Sequence, residues 1–126
     1  MSTAMPRIAV LDANALLMPF QFRLNLEAEL RRLLGECEIV VPEPVLGELE
    51  LHREGTREAR AARQLAARYR AVAAEGRGDD AVIEVAQATK GVVVTNDAAL
   101  LARLKTLRLP RITLRSRSHL VLEGLE

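Results

Sequence analysis

Several residue types are scarce in this chain of 126 residues, which has one cysteine, two histidines, no tryptophan, two phenylalanines and one tyrosine. The single cysteine cannot form an intrachain disulfide, so a reducing, cytoplasmic location is expected. The scarcity of aromatic residues argues against an RNA-binding surface built on base stacking. One cysteine and two histidines are also too few to favour a zinc site.

Long apolar runs and glycine-rich motifs are missing as well. No apolar stretch approaches the ~20 residues that a membrane-spanning helix needs, so no membrane association is expected. After the first apolar run the sequence reads Asp12-Ala13-Asn14-Ala15, where a dinucleotide site would need G-x-G-x-x-G. A phosphate-cradling G-x-x-x-x-G-K-[ST] is absent, and the acidic pair Asp79-Asp80 lies too far from the first strand for a receiver domain.

The remaining composition is that of one globular domain, with 49% hydrophobic and 28% charged residues. Short apolar runs alternate with segments of helical periodicity, which predicts an α/β layered domain with a largely aliphatic core. The predicted strands are 8–11, 38–41, 91–94 and 111–114, and the predicted helices cover 26–34, 44–51 and 56–74, with two more beginning near Asp79 and Asp97. Pro19 limits the segment 15–22 to a short helical turn and loop.

Acidic residues recur where the predicted strands end or the helices begin. The candidates are Asp12, Glu48, Asp79, Asp80 and Asp97. In a parallel sheet the carboxyl ends of the strands share one edge, so these side chains are expected to converge. Two carboxylates ~4 Å apart repel by about 4 kcal/mol at an effective dielectric near 20, and a hard cation such as Mg²⁺ or Mn²⁺ removes that conflict. Such pockets typically support metal-assisted attack of water on a phosphodiester.

Each acid also has a structural explanation. Asp79, Asp80 and Asp97 stand where helices begin, and Asp is a favoured N-cap. Asp12 is less easily explained in this way, because no long helix is predicted directly after it. Glu48 is one of several acids on its helix. The joint pattern is therefore more informative than any one residue.

A basic segment follows Asp97, although the net charge of the whole chain is only +1. It contains Arg103, Lys105, Arg108, Arg111, Arg115 and Arg117, and no acid until Glu123. The segment is either a solvated helix face and tail or a contact for a phosphate backbone. Arg103, Arg115 and Arg117 are the candidates for RNA contacts.

Four motifs together resemble a PIN-domain nuclease. They are I-A-V-L-D-A-N-A-L-L at 8–17, V-P-E-P-V-L-G-E-L-E at 41–50, G-D-D-A-V-I-E-V-A at 78–86 and V-V-V-T-N-D-A-A-L at 92–100. The resemblance implies a domain over 7–122, with 1–6 as a flexible N-terminus and 123–126 as the C-terminal end. It further implies a three-layer fold, with a central parallel sheet of about five strands flanked by helices, and a Mg²⁺- or Mn²⁺-dependent endoribonuclease acting on single-stranded RNA.

The same resemblance assigns residues. The family's acids fall on Asp12, Glu48, Asp80 (which precedes x-x-I) and Asp97, the predicted catalytic residues and ligands of one or two ions. Asn14, Asp79 and Thr95 become supporting polar residues. Ala13 departs from the family, which often carries Thr there.

The segment 16–22 resembles archaeal PIN proteins akin to the endonuclease that cuts pre-ribosomal RNA in the small-subunit processome. This favours ribosomal RNA processing, with pre-rRNA as a partner. One alternative is a toxin ribonuclease paired with an antitoxin, and another, of a different class, is a non-catalytic PIN-like scaffold that binds RNA or protein. A homodimer is expected only by analogy.

Overall fold

The computed structural model describes residues 6–51 and 56–125, which form a three-layer α/β domain with helices on a single sheet. The strands are β1 (Arg7–Leu11), β2 (Cys37–Pro42), β3 (Arg70–Val72), β4 (Val92–Val94), β5 (Arg111–Arg115) and β6 (His119–Glu123). The helices are α1 (Ala13–Phe22), α2 (Leu26–Leu34), α3 (Glu43–Leu51), α4 (Arg57–Ala66), α5 (Gly78–Thr89) and α6 (Ala98–Thr106).

The sheet has the strand order β3-β2-β1-β4-β5-β6, and every pair is parallel except β5 with β6. The predicted parallel sheet of about five strands is therefore confirmed, with a sixth, antiparallel strand added at one edge. The central strands β1 and β4 are buried on both faces, which explains their continuous apolar runs. The core is aliphatic, as predicted.

Two segments differ from the sequence-based prediction. The helix predicted over 56–74 is capped by Thr56 as expected but ends at Ala66, and the following residues form β3, which pairs with β2. An extended segment here supplies hydrogen-bond partners to the outer edge of β2, which a helix could not do. The segment 15–22 is helical rather than a short turn. Pro19 lacks the N–H for one helical bond, but burial of the α1 residues Ala15, Leu16 and Met18 holds the helix together.

The hairpin of β5 and β6 brings its turn to the edge of the sheet at which β1 and β4 end. The start of β6 is tied to α2 by two hydrogen bonds: Glu29 Oε1 accepts from the Leu120 N–H at 2.8 Å, and Arg32 donates to the Leu120 carbonyl at 2.8 Å. Glu29 and Arg32 thus satisfy backbone groups that an edge strand would otherwise leave open.

None of the described helices is both long enough and apolar enough to cross a lipid bilayer. The predicted flexible segment 1–6 lies outside the described residues except for Pro6. At the other end, β6 continues to Glu123, one residue past the predicted domain boundary, and residue 126 lies outside the described residues.

Gly91 is required by the close approach of α5 to β1. A Cβ built on Gly91 would lie 2.9 Å from Val10 Cγ2 and 3.1 Å from the Ile8 carbonyl oxygen, which belongs to the central strand and cannot move freely. Gly91→Ala is therefore expected to lower the free energy of unfolding by about 1–2 kcal/mol.

Urea titration measures this effect. Gly47→Ala is the matched control, because a Cβ at Gly47 on helix α3 meets nothing within 4 Å and should stabilise the helix. Equal stability of the two variants would contradict the packing argument.

Candidate active site

Asp12 and Thr95 lie side by side because β1 and β4 are neighbouring parallel strands in register. Leu11 pairs with Val94, so the next residue of each strand stands at the same edge of the sheet. There the Thr95 hydroxyl donates a hydrogen bond to Asp12 Oδ2, and the same hydroxyl oxygen accepts from the Asp97 N–H at 3.0 Å. Thr95 is fully buried, so this bond fixes the orientation of the Asp12 carboxylate.

Asp12 and Asp97 are also helix N-caps. Asp12 Oδ1 accepts from the Ala15 N–H at 2.8 Å at the start of α1, and Asp97 Oδ1 accepts from the Leu100 N–H at 2.9 Å at the start of α6. The prediction that no long helix begins directly after Asp12 is therefore wrong, because α1 covers ten residues, and capping contributes to the role of both residues. Capping uses Oδ1 of each carboxylate, and Oδ2 of Asp12 accepts from Thr95. Each carboxylate oxygen has two lone pairs, so both residues keep acceptor capacity for a further partner.

Asp12 is 6% exposed, and its pKa is raised from its usual 3.8 to about 6. The main cause is burial, which disfavours the charged form, while the hydrogen bonds from Thr95 and Ala15 act in the opposite direction. The charges of Asp79 and Asp97 raise the pKa further. Asp12 is thus a buried acid whose pKa is affected by the charges of two other carboxylates.

The two adjacent acids at the start of α5 face different surroundings. Asp79 is partly buried and its pKa is raised, first by burial and then by Asp97. Asp80 is exposed, and its Oδ1 accepts from Arg103 Nη2 at 2.8 Å. Successive residues on a helix point about 100° apart, and of the two only Asp79 is among the charges that raise the pKa of Asp12. We call Asp12, Asp79 and Asp97 the acidic edge.

Capping does not explain the acids of α5. The N-cap of this helix is Arg77, which makes no side-chain capping bond, and Asp79 and Asp80 both lie within the first turn. The acids still interact favourably with the helix dipole there. The helix dipole therefore explains why acidic residues are favourable at these two positions. It does not explain why Asp79 is partly buried.

Glu48 approaches this region from α3. Its Oε1 atom is buried and makes no hydrogen bond to the described residues, and it lies 4.0 Å from the position that a Cβ on Gly78 would occupy. A buried carboxylate oxygen without a partner is costly, so this atom calls for a cation or a proton donor. Gly78 has a φ of +55°, a conformation that favours glycine. Gly78 begins the G-D-D motif, but its sequence position alone does not reveal this positive φ.

The donor chemistry of these side chains fits a hard divalent cation, since Mg²⁺ and Mn²⁺ prefer carboxylate oxygens. Within the described ranges, however, no three acidic, histidine or cysteine side chains stand close enough to hold an ion as they are placed. Holding an ion would therefore require the side chains of Glu48, Asp79 and Asp97 to move toward Asp12, which its hydrogen bonds already orient.

The other predicted site residues are scattered around this edge. Asn14 is exposed in the first turn of α1, two residues after Asp12. Arg115 is exposed at the end of β5, on the edge where β1 and β4 also end. Arg117 lies in the turn that follows, with its guanidinium 5.3 Å from the centre of the Phe22 ring. Arg103 is held by Asp80.

The comparisons with known proteins agree with this architecture. Among solved structures the chain is similar to the PIN domain endonuclease Utp24, with a TM-score of 0.79 and 23% identity over 95% of this chain and 93% of that one. It is also similar to a domain of a functionally unknown protein from Methanocaldococcus jannaschii DSM 2661, with a TM-score of 0.63 and 17% identity over 87% and 92% of the two chains. At these identities the likeness concerns the fold.

No curated protein matches the chain by sequence. A family sequence model described as "PIN like domain" matches residues 9–117, a range that includes the acidic edge, Glu48 and most of the sheet. The chain therefore belongs to the PIN-like domain family.

Proposed function

We propose that the protein is a metal-dependent endoribonuclease that hydrolyses phosphodiester bonds of single-stranded RNA. The observation that carries the proposal is the acidic edge, in which burial and, to a smaller extent, the charges of Asp79 and Asp97 raise the pKa of Asp12. A buried carboxylate beside two others is unfavourable for folding, which favours a role in binding a cation. The family match adds a nuclease fold.

The residues that would hold the metal are Asp12, Glu48, Asp79 and Asp97. When bound, Mg²⁺ or Mn²⁺ makes water more acidic and stabilises charge on the phosphate oxygens. Asp12 is already oriented for this role by Ala15 and Thr95, so little rotamer freedom would be lost. The unpaired Glu48 Oε1 would gain the partner that it lacks among the described residues.

The family resemblance and the structure favour different residues of the pair Asp79 and Asp80 as the third metal ligand. The family resemblance assigns the third acid to Asp80, with Asp79 in support. The geometry favours Asp79, because it is coupled electrostatically to Asp97 whereas Asp80 is exposed and bonded to Arg103. We propose Asp79 as the ligand.

Single-stranded RNA is the proposed substrate because the basic segment reaches the same edge of the sheet. Arg115 and Arg117 are exposed beside it and carry guanidinium groups suited to phosphate oxygens. Within RNA metabolism, the resemblance of segment 16–22 supports ribosomal RNA processing over a toxin role. A toxin would instead have a small antitoxin encoded beside it, and would bind that partner when the two are purified together.

A panel of labelled single-stranded RNAs incubated with Mn²⁺, Mg²⁺ or a chelator tests the proposal. We expect internal cleavage with either ion, no cleavage with chelator, and slower cleavage when the same RNA is annealed to its complement. Cleavage that persists in chelator, or that Asp12→Asn leaves intact, would point to a contaminating ribonuclease and contradict the proposal.

A second candidate function is a non-catalytic scaffold that binds RNA or protein. It is favoured by the separation of the acids, since no three of them in the described part of the chain are close enough to hold an ion as placed. This alternative predicts RNA binding without cleavage at any metal concentration. It also predicts that Asp12→Asn and Asp97→Asn leave the binding affinity unchanged. Light scattering would test the expected homodimer in either case.

A further inference from the structure

The contact between Arg103 and Asp80 joins two helices at the rim of the acidic edge. Arg103 Nη2 lies 2.8 Å from Asp80 Oδ1, and the two side chains are 47% and 68% exposed. Exposed ion pairs of this kind contribute little to stability. The contact therefore contributes little to the stability of the fold. Its position beside the acidic edge suggests a role in function instead.

Arg103 is also close enough to Asp79 for their charges to interact. Its charge lowers the pKa of Asp79, against the effects of burial and of Asp97. Side chains on a helix lean toward the helix N-terminus, so a long side chain in the last turn of α6 reaches back toward Asp97, where the helix begins. The guanidinium thus stands beside the acidic edge although its Cα lies six residues further along the helix.

Only one nitrogen of the Arg103 guanidinium donates a hydrogen bond within the described residues. The group has five N–H donors in a planar fork, and the hydrogen bond to Asp80 involves a single nitrogen, Nη2. The side chain remains nearly half exposed, so other donors are open to solvent. A phosphate can accept two such bonds at once.

We propose that Arg103 contacts a phosphate of bound RNA, and that Asp80 is a positioning residue that holds the Arg103 guanidinium beside the acidic edge. The inference rests on the proposed function for the identity of the ligand. It gives the two adjacent acids of α5 different roles, with Asp79 as a metal ligand and Asp80 acting through Arg103.

A double-mutant cycle on RNA affinity tests the positioning role. The full chain is titrated against a fluorescent single-stranded RNA in chelator, which prevents cleavage. Arg103→Gln is expected to weaken binding about fivefold and to reduce the slope of log affinity against log salt by about 0.7, the value for one phosphate contact to a single strand. Arg70→Gln is the matched control, because Arg70 pairs with Glu38 at the same distance of 2.8 Å but away from the acidic edge.

The sign of the Asp80→Asn effect separates positioning from simple charge repulsion. In the natural chain we expect Asp80→Asn to weaken RNA binding about twofold, although it removes a negative charge near the RNA. Asp80→Glu, which keeps the carboxylate, should bind RNA with nearly the affinity of the natural chain. In the Arg103→Gln background the same change should strengthen binding, because only repulsion is removed. Stronger binding in both backgrounds, equal effects of Arg103→Gln and Arg70→Gln, or no RNA binding at all would overturn the inference.

Calorimetric titration of Mn²⁺ without RNA distinguishes the two neighbouring acids. Asp79→Asn should weaken Mn²⁺ binding at least about tenfold, whereas Asp80→Asn should change it less than about twofold. An equal loss for Asp80→Asn would overturn the inference and restore Asp80 as a ligand. If the natural chain binds no Mn²⁺, the proposed function fails, and the RNA cycle alone then decides the role of Asp80.

Discussion

Asp12→Asn and Asp97→Asn are each expected to reduce Mn²⁺-dependent cleavage of single-stranded RNA by about a thousandfold. A bound cation contributes several kcal/mol of charge stabilisation, and each loss of about 1.4 kcal/mol slows the reaction tenfold. Asn keeps the capping oxygen that accepts from the Ala15 or Leu100 N–H, so the helix starts should persist. Initial rates of cleavage, together with Mn²⁺ titration of each variant, measure the effect.

Two further variants separate the loss of charge from the loss of a cap. Asp97→Ala removes both and should lower stability by about 1 kcal/mol beyond Asp97→Asn, with a similar loss of activity. Glu50→Gln, at an exposed acid on the same helix as Glu48, should leave the cleavage rate within about twofold. Near-normal cleavage by Asp97→Asn would mean that Asp97 serves only as a cap.

The second large effect concerns stability in the absence of metal. Because the pKa of Asp12 is about 6 in the folded protein and 3.8 ordinarily, the folded state binds its proton more tightly than the unfolded state. The resulting stability is fully present below about pH 3.8 and is lost as the pH rises through about 6. A shift of about two pKa units corresponds to about 3 kcal/mol of lost stability. Asp12→Asn should recover most but not all of it, because the Asn oxygen that caps α1 leaves the amide NH₂ facing Thr95, and this group cannot accept the Thr95 hydroxyl proton.

Asp12→Asn is therefore expected to raise the free energy of unfolding by about 2 kcal/mol near pH 7.5 in chelator, and to have little effect near pH 4. Urea titrations at a series of pH values measure the difference, with Glu50→Gln as a control for removing one exposed negative charge. Saturating Mn²⁺ should stabilise the natural chain and not the variant. A variant that is less stable at every pH would mean that the hydrogen bonds of Asp12 outweigh its burial.

The sequence predicted the main architecture because its strands carry strong local signals. β1, β2 and β4 contain short apolar runs with abrupt polar or proline endings, and β5 alternates polar and apolar residues after Pro110. Helix α2 has a regular amphipathic period that Gly35 terminates. A chain in which such runs alternate with helices has few ways to bury them other than a parallel sheet between helical layers.

The elements that the sequence did not predict depend on distant partners. β3 is only three residues long, and its conformation comes from pairing with β2 rather than from its own residues. β6 exists because β5 and α2 satisfy its backbone groups. In α1, burial against the domain outweighs the helix-breaking tendency of Pro19. Local propensity carries no information about such long-range contacts.

The same division applies to the site. By itself, the sequence determined that acids follow or flank the carboxyl ends of parallel strands, because strand order along the chain and apolar patterning fix that edge. Only the tertiary structure decided that Asp79 is partly buried near Asp97 while Asp80 bonds to Arg103. Only the tertiary structure showed, too, that Glu48 has a buried oxygen without a partner among the described residues. The physical reason is that the direction of a helical side chain depends on the rotation of its helix against the sheet. That rotation is set by packing across the whole domain.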